Sequence, residues 1–226
     1  MSGVVWFVVL SFVLAAAAQS GGPPASGPLG LILPVPNAPF SARQVEERTR
    51  TAADGSLTTN VVSNPVYRDS AGRVRVEWRV SDLPTGTNEV IYLIDPVSFS
   101  VTVLFVGPKI AYRTAVPRSN AGGFQVGFPG LEEPFPEAEV QMKTESLGRR
   151  ITEGVEVEGT RTTTTAKGEP ILSAFRETWS SRALGLTVAL EASGPDSRHT
   201  AKLQDLDHHE PDASLFIIPL GYSIQD

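Results

Sequence analysis

The chain has no cysteine among its 226 residues. That excludes disulfides, thiol catalysis and any metal site built on thiolates. It also excludes a lipid-anchored lipoprotein, because acylation of the N-terminus needs a cysteine thiol. Histidine is nearly as scarce, with only His199, His208 and His209. The sequence contains no G-x-S-x-G elbow, S-x-x-K, H-E-x-x-H, Walker A or G-x-G-x-x-G pattern, so the common hydrolase, zincin and nucleotide-binding signatures are missing. There is no basic cluster, and the formal net charge is −6, which argues against nucleic acid and anionic membrane surfaces as partners. No long amphipathic helical stretch occurs. No apolar run reaches the roughly 20 residues that cross a bilayer as a helix.

The longest apolar run is Val4 to Leu14, followed by Ala15-Ala16-Ala17-Ala18-Gln19. Its length matches the core of a secretory signal peptide, with Ala16 and Ala18 filling the A-x-A positions before a cleavage site. Residues 1–18 are therefore expected to be a signal peptide, cut after Ala18. The mature protein is expected to be periplasmic or secreted, with no transmembrane segment left after cleavage. About 200 mature residues suit one domain that buries roughly 70% of its unfolded surface. The 41% hydrophobic content is enough for a packed core.

Residues 19–40 are rich in Pro and Gly (Gly21-Gly22-Pro23-Pro24, Pro34-Val35-Pro36) and read as a flexible, extended spacer. Within it, Leu29-Gly30-Leu31-Ile32-Leu33 is an apolar patch suited to docking on the domain. Residues 41–226 read as a single antiparallel β domain. Ala42 to Ala52 is mostly polar, as an edge or solvent-facing strand would be, and Asp54-Gly55 marks a hairpin turn to Leu57–Tyr67. Beyond Asp69-Ser70-Ala71-Gly72, the run Arg73 to Val80 alternates strictly. Val74, Val76, Trp78 and Val80 face one way, while Arg73, Arg75, Glu77 and Arg79 form a wet face. Glu89–Asp95 and Ser98–Val106 make a hairpin around Asp95-Pro96, apolar at nearly every position, so both faces should be covered. Ile110–Thr114 is a further short strand.

A Pro- and Gly-rich excursion, the long loop 116–138, carries Phe124, Phe128, Leu131 and Phe135. Strands resume at Val140–Leu147 with a turn at Gly148, then Gly154–Thr165, Ala174–Trp179, Leu186–Glu191 and His199–Leu206. Only Pro211 to Phe216 reads as a helical turn, with proline in its first turn. The fold class is mostly β: an antiparallel meander forming a strongly curved sheet or open half-barrel, with little helix.

Candidate chemistry is sparse. In Asp205-Leu206-Asp207-His208-His209-Glu210, a continued strand would put Asp205, Asp207 and His209 on one face as weak metal ligands, and a solvated face is the plainer reading. Glu156 and Glu158 share a strand face, which does not suit a glycosidase pair; partners on a neighbouring strand such as Arg176 suit them better. Trp78 and Trp179 read as core residues. No cofactor and no enzymatic activity are expected.

Four stretches carry a resemblance: Asn64-Pro65-Val66-Tyr67-Arg68-Asp69-Ser70-Ala71-Gly72-Arg73; Glu145 to Ile151 with Gly159 to Thr164; Glu177-Thr178-Trp179-Ser180 with Leu184-Gly185-Leu186; and Glu210 to Phe216 with Pro219-x-Gly221-Tyr222. Together they resemble a group of uncharacterised exported bacterial proteins, over most of the chain from Ala38 onward. More loosely, the ending looks like the last strands of LolA-type lipoprotein-carrier half-barrels. That likeness implies a curved sheet whose apolar concave face, covered by helices, holds acyl chains. This chain shows no obvious covering helices, and the loop after Thr165 looks shortened. The reading that follows is a non-enzymatic binding protein for a lipid or other hydrophobic ligand. Tyr92, Phe99, Phe105, Phe124 and Phe128 are its candidate lining residues. The alternative is an interaction module that engages another envelope protein by strand addition, and a hydrolase comes last.

Overall fold

The computed structural model describes residues 34–79, 89–116, 140–166 and 173–226. They form one twelve-stranded sheet that does not close into a barrel. The strands are β1 (Phe40–Thr51), β2 (Leu57–Arg68), β3 (Val74–Arg79), β4 (Glu89–Asp95), β5 (Ser100–Phe105) and β6 (Ile110–Ala115), followed by β7 (Val140–Thr152), β8 (Val155–Ala166), β9 (Ser173–Ser181), β10 (Leu186–Ser193), β11 (Ser197–Asp207) and β12 (Ser223–Gln225). The one helical element among the described residues is a 3-10 turn, Ala213–Phe216, capped by Asp212, whose side chain accepts from the Ser214 N–H.

The spatial order is β12-β6-β5-β4-β3-β2-β1-β11-β10-β9-β8-β7. Two meanders, β1 to β6 and β7 to β11, are thus joined through their first and last strands. Strand β1 is consequently central, hydrogen-bonded to β2 on one side and β11 on the other. This corrects the expectation of an edge or solvent-facing strand there: Gln44 and Glu46 are polar by type yet fully buried by position.

Local chemistry sets several turns. Glu153 and Gly154 both take positive φ, at 50° and 76°, which is the twist a two-residue hairpin of the I′ kind requires. The turn expected at Gly148 lies five residues later, because Gly148 instead sits at a bulge where the β7–β8 register shifts between Ser146 and Gly148. The C-terminal strand β12, too short to be read from sequence, adds to β6 in parallel.

Curvature follows from one side chain. Arg68, at the end of β2, donates from Nη2 to the Leu184 carbonyl at 2.7 Å and from Nε to the Ala38 carbonyl at 2.8 Å. Leu184 lies in the β9–β10 turn, three strand positions away, about 14 Å across a flat sheet. Only a sheet curled toward the face bearing Arg68 brings the two together. That face is the concave one, and it carries Phe40, Ala42, Val66, Val74, Val76, Ile94 and Leu203 in one buried cluster. Each of these side chains contributes roughly 1.5–3 kcal/mol when fully buried, alanine excepted.

Part of the opposite face is covered too. Ile91, Leu93, Leu104 and Ala111 pack under Ile218 and Tyr222 of the C-terminal segment. Arg75, expected to be wet, is buried there: it donates to the Leu215 carbonyl at 3.0 Å and pairs with Glu77 at 2.7 Å. The two-sided covering of the β4–β5 hairpin is as its apolar sequence implied.

Candidate binding site on the concave face

Strand alternation puts β1 residues Phe40, Ala42, Gln44, Glu46 and Arg48 on the concave face. The registers Ala42↔Val66↔Val76↔Tyr92↔Val103↔Tyr112 and Phe40↔Arg68↔Val74↔Ile94↔Val101 continue that face across β2 to β6. One end of the face is apolar. Tyr92 is half-buried on it, and burial raises its phenol pKa. Phe105 meets Tyr112 edge-on, with ring centroids 5.8 Å apart.

Further along β1 the face changes character. Gln44 donates to the Glu46 carboxylate at 2.5 Å, and Arg48 donates to its other oxygen at 3.0 Å. His199, paired across β11 with Arg48, brings Nε2 to 3.4 Å from the same oxygen, without hydrogen-bond geometry. Asn64 stands opposite Gln44 on β2. Gln44 and Glu46 are 0% and 1% exposed, and Asn64 is 1% exposed. Even so, Gln44 Oε1, both amide atoms of Asn64 and His199 Nε2 are buried with no hydrogen-bond partner. An orphaned buried polar group costs on the order of 1–3 kcal/mol. Four such atoms weigh heavily against the roughly 5–15 kcal/mol stability of a domain.

At the other end, Arg68 is fully buried, its guanidinium lies 4.9 Å from the Phe40 ring centroid, and desolvation lowers its pKa to about 10. The end of the proline-rich segment closes this mouth. The Asn37 N–H donates to the Ser70 carbonyl at 2.9 Å, and Val35 and Pro36 press on the Gly72 and Gly185 turns.

The residues expected from sequence divide as follows. Tyr92 and Phe105 lie on the concave face. Phe99 lies in the β4–β5 turn, in a left-handed conformation at φ 53°, and its carbonyl accepts from the Val116 N–H. Phe124 and Phe128 lie outside the described residues, as do the signal-peptide residues and most of the loop 116–138. Asp205, Asp207 and His209 do not form one face. Asp205 takes φ 54° at a bulge, its N–H donates to Glu153, and exposed His209 pairs with Asp207. Among the described residues no group of three or more carboxylates and histidines converges as a metal site. Glu158 pairs with Arg149 at 2.8 Å and Arg182 at 3.2 Å, not with Arg176, which faces Thr162 in the register. Trp179 is core, whereas Trp78 is only half-buried.

Sequence reasoning missed Gln44, Glu46, Asn64 and His199. The signal available was that Gln44 and Glu46 extend the two-residue rhythm of Phe40 and Ala42 along a twelve-residue strand; Asn64 and His199 join them only through the pairing of β2 and β11 with β1. An open depression of about 660 Å³, lined by Ser98, Ser100, Arg113, Thr114, Ala115 and Asp226, lies elsewhere, at the β5–β6 end. It contains none of the orphaned atoms. Among the described residues no helix is long and apolar enough to cross a membrane.

No protein-family model matches the chain, and no curated protein matches it at a significant level. Among solved structures, the chain is similar to a LolA superfamily protein from Nitrosomonas europaea (7% identity, TM-score 0.36), covering 85% of this chain and 98% of that one. It is also similar to the lipoprotein LppX of Mycobacterium tuberculosis (10% identity, TM-score 0.34), covering 90% and 97%. A third similar structure is LprF from Mycobacterium bovis (10% identity, TM-score 0.29), covering 91% and 96%.

Proposed function

We propose that this protein is an exported, non-enzymatic carrier that holds a lipid or other hydrophobic ligand against the concave face of its half-barrel, outside the cytoplasm. The observation that carries this is the apolar concave face running from β1 to β6 on a sheet that stays open. Tyr92 and Phe105 are its lining residues. Without cysteine, and without a nucleophile–base pair in the sequence, the face has the means to bind and no evident means to transform.

The test is native mass spectrometry of the protein recovered from the periplasm of an expressing cell. Added mass that extracts into organic solvent is the expected result. A Tyr92→Asp, Phe105→Glu double variant that folds should carry at least tenfold less of it. A bare wild-type mass, with no uptake of added single-chain lipids, refutes the reading.

Strand addition to another envelope protein is the second reading, favoured by β7. Among the described residues this 13-residue strand has β8 as its one neighbour in the sheet, and Met142 and Ile151 are exposed on it. Crosslinking of residues on β7 to an envelope protein would support it, and a clean monomer that captures nothing would count against it.

A further inference from the structure

The apolar wall explains an acyl chain but not the buried polar group at its end. Gln44, Glu46, Asn64 and His199 occupy the same concave face, beyond the Ala42–Val66 pair, with Leu203 opposite Gln44 on β11. Gln44 and Asn64 are essentially without solvent contact, yet they keep an unmet acceptor on Gln44 and an unmet donor and acceptor on Asn64. Both side chains are uncharged and need no proton exchange to bind. We propose that this group is the polar-head site of the ligand, selecting an uncharged head that both donates and accepts hydrogen bonds, such as a hydroxyl or primary amide. The inference rests on the hydrophobic-ligand reading above and adds the head-group class to it.

The charges decide between head types. Glu46 already receives Gln44 and Arg48, so an ammonium head would have to displace a held guanidinium. An anionic head would be buried beside the Glu46 carboxylate, where the surroundings screen repulsion poorly. An uncharged hydroxyl head avoids both conflicts. Its oxygen accepts from Asn64 Nδ2, and its single proton goes to the carbonyl oxygen of either Gln44 or Asn64, leaving the other acceptor for a second hydroxyl or an amide N–H. A site built to hydrogen-bond a hydroxyl discriminates strongly, because a ligand without one leaves buried polar atoms unmatched.

The test uses three twelve-carbon amphiphiles of equal chain length: monolauroylglycerol, laurate and dodecylammonium, each displacing a fluorescent apolar probe from the full mature protein at pH 7.5. Wild type should bind monolauroylglycerol at least tenfold more tightly than either charged compound. Asn64→Leu should collapse that preference to within about threefold while leaving laurate binding unchanged. It should also raise the melting temperature of the ligand-free protein, because two orphaned atoms are gone. Should Asn64→Leu fail to fold, Asn64→Ser, shorter but still polar, must weaken monolauroylglycerol selectively. Equal binding of all three compounds by wild type, or a preference that survives both substitutions, overturns the head-group site and leaves the apolar-ligand reading standing. A crystal structure of the monolauroylglycerol complex in which only water contacts Asn64 and Gln44 would overturn it too. Failure of all three to bind removes both readings together.

Discussion

At the scale of single residues, the sheet depends on positions where one atom too many cannot fit. A Cβ built on Gly159 would lie 2.6 Å from the Trp179 ring, which covers the strand there and is itself capped by Arg150 at 3.6 Å. Gly159→Ala must push the indole off its seat, an overpacking change that typically costs about 1–3 kcal/mol. Urea unfolding should show that loss as a lower midpoint with an unchanged slope, and an unchanged midpoint would mean the indole moves freely. Beside it, the Trp179 indole N–H donates to Glu177 at 2.7 Å and Arg161 approaches the other carboxylate oxygen at 2.7 Å, so Glu177 titrates below the ordinary 4.5. A carboxyl lowered by folding adds stability that is fully present above 4.5 and disappears as pH falls through the folded value. Wild type should therefore lose stability below about pH 4.5. Glu177→Gln should flatten that part of the pH profile, and a profile that does not change would disprove the linkage.

Among the elements, the C-terminal segment has a role its sequence only half discloses. Pro211 to Phe216 reads as one helical turn, and the structure places a 3-10 turn at Ala213–Phe216, with Asp212 rather than the proline at its start. What no local pattern shows is its destination. It lies on the outer face of β3 to β6, satisfies Arg75 through the Leu215 carbonyl, and ends as a strand beside β6. Truncation after Glu210 should expose Ile91, Leu93 and Leu104 and strip Arg75 of a carbonyl partner. The expected outcome is stronger bis-ANS fluorescence and a lower melting temperature. An unchanged fluorescence would mean that the segment is ornamental. The hairpin before it was readable, since β4 and β5 are apolar at nearly every position and both of their faces are covered.

For the whole molecule, the proposed binding on the open sheet would tie occupancy to stability. A ligand that occupies only the folded concave face stabilises by mass action, about 2.7 kcal/mol at a concentration one hundredfold above its Kd. Extraction of the protein with organic solvent, followed by refolding, should therefore lower the melting temperature, and adding the extract back should restore it. A melting temperature indifferent to extraction would place any bound lipid outside the fold.

The amino-acid sequence determined the strands because period-two alternation and turn chemistry are local properties. Eleven strand positions, the hairpins and the mostly β class follow from side chains a few residues apart. It could not determine strand order, which is a choice among distant pairings. That choice put β11 beside β1, turned a polar strand expected at an edge into the centre of the sheet, and buried Gln44, Glu46 and Asn64. Hydropathy assigns such residues to water because their atoms need hydrogen bonds. Only the tertiary structure decided their burial, because the strand order sets them at the centre of the sheet, on the face that curls toward Arg68.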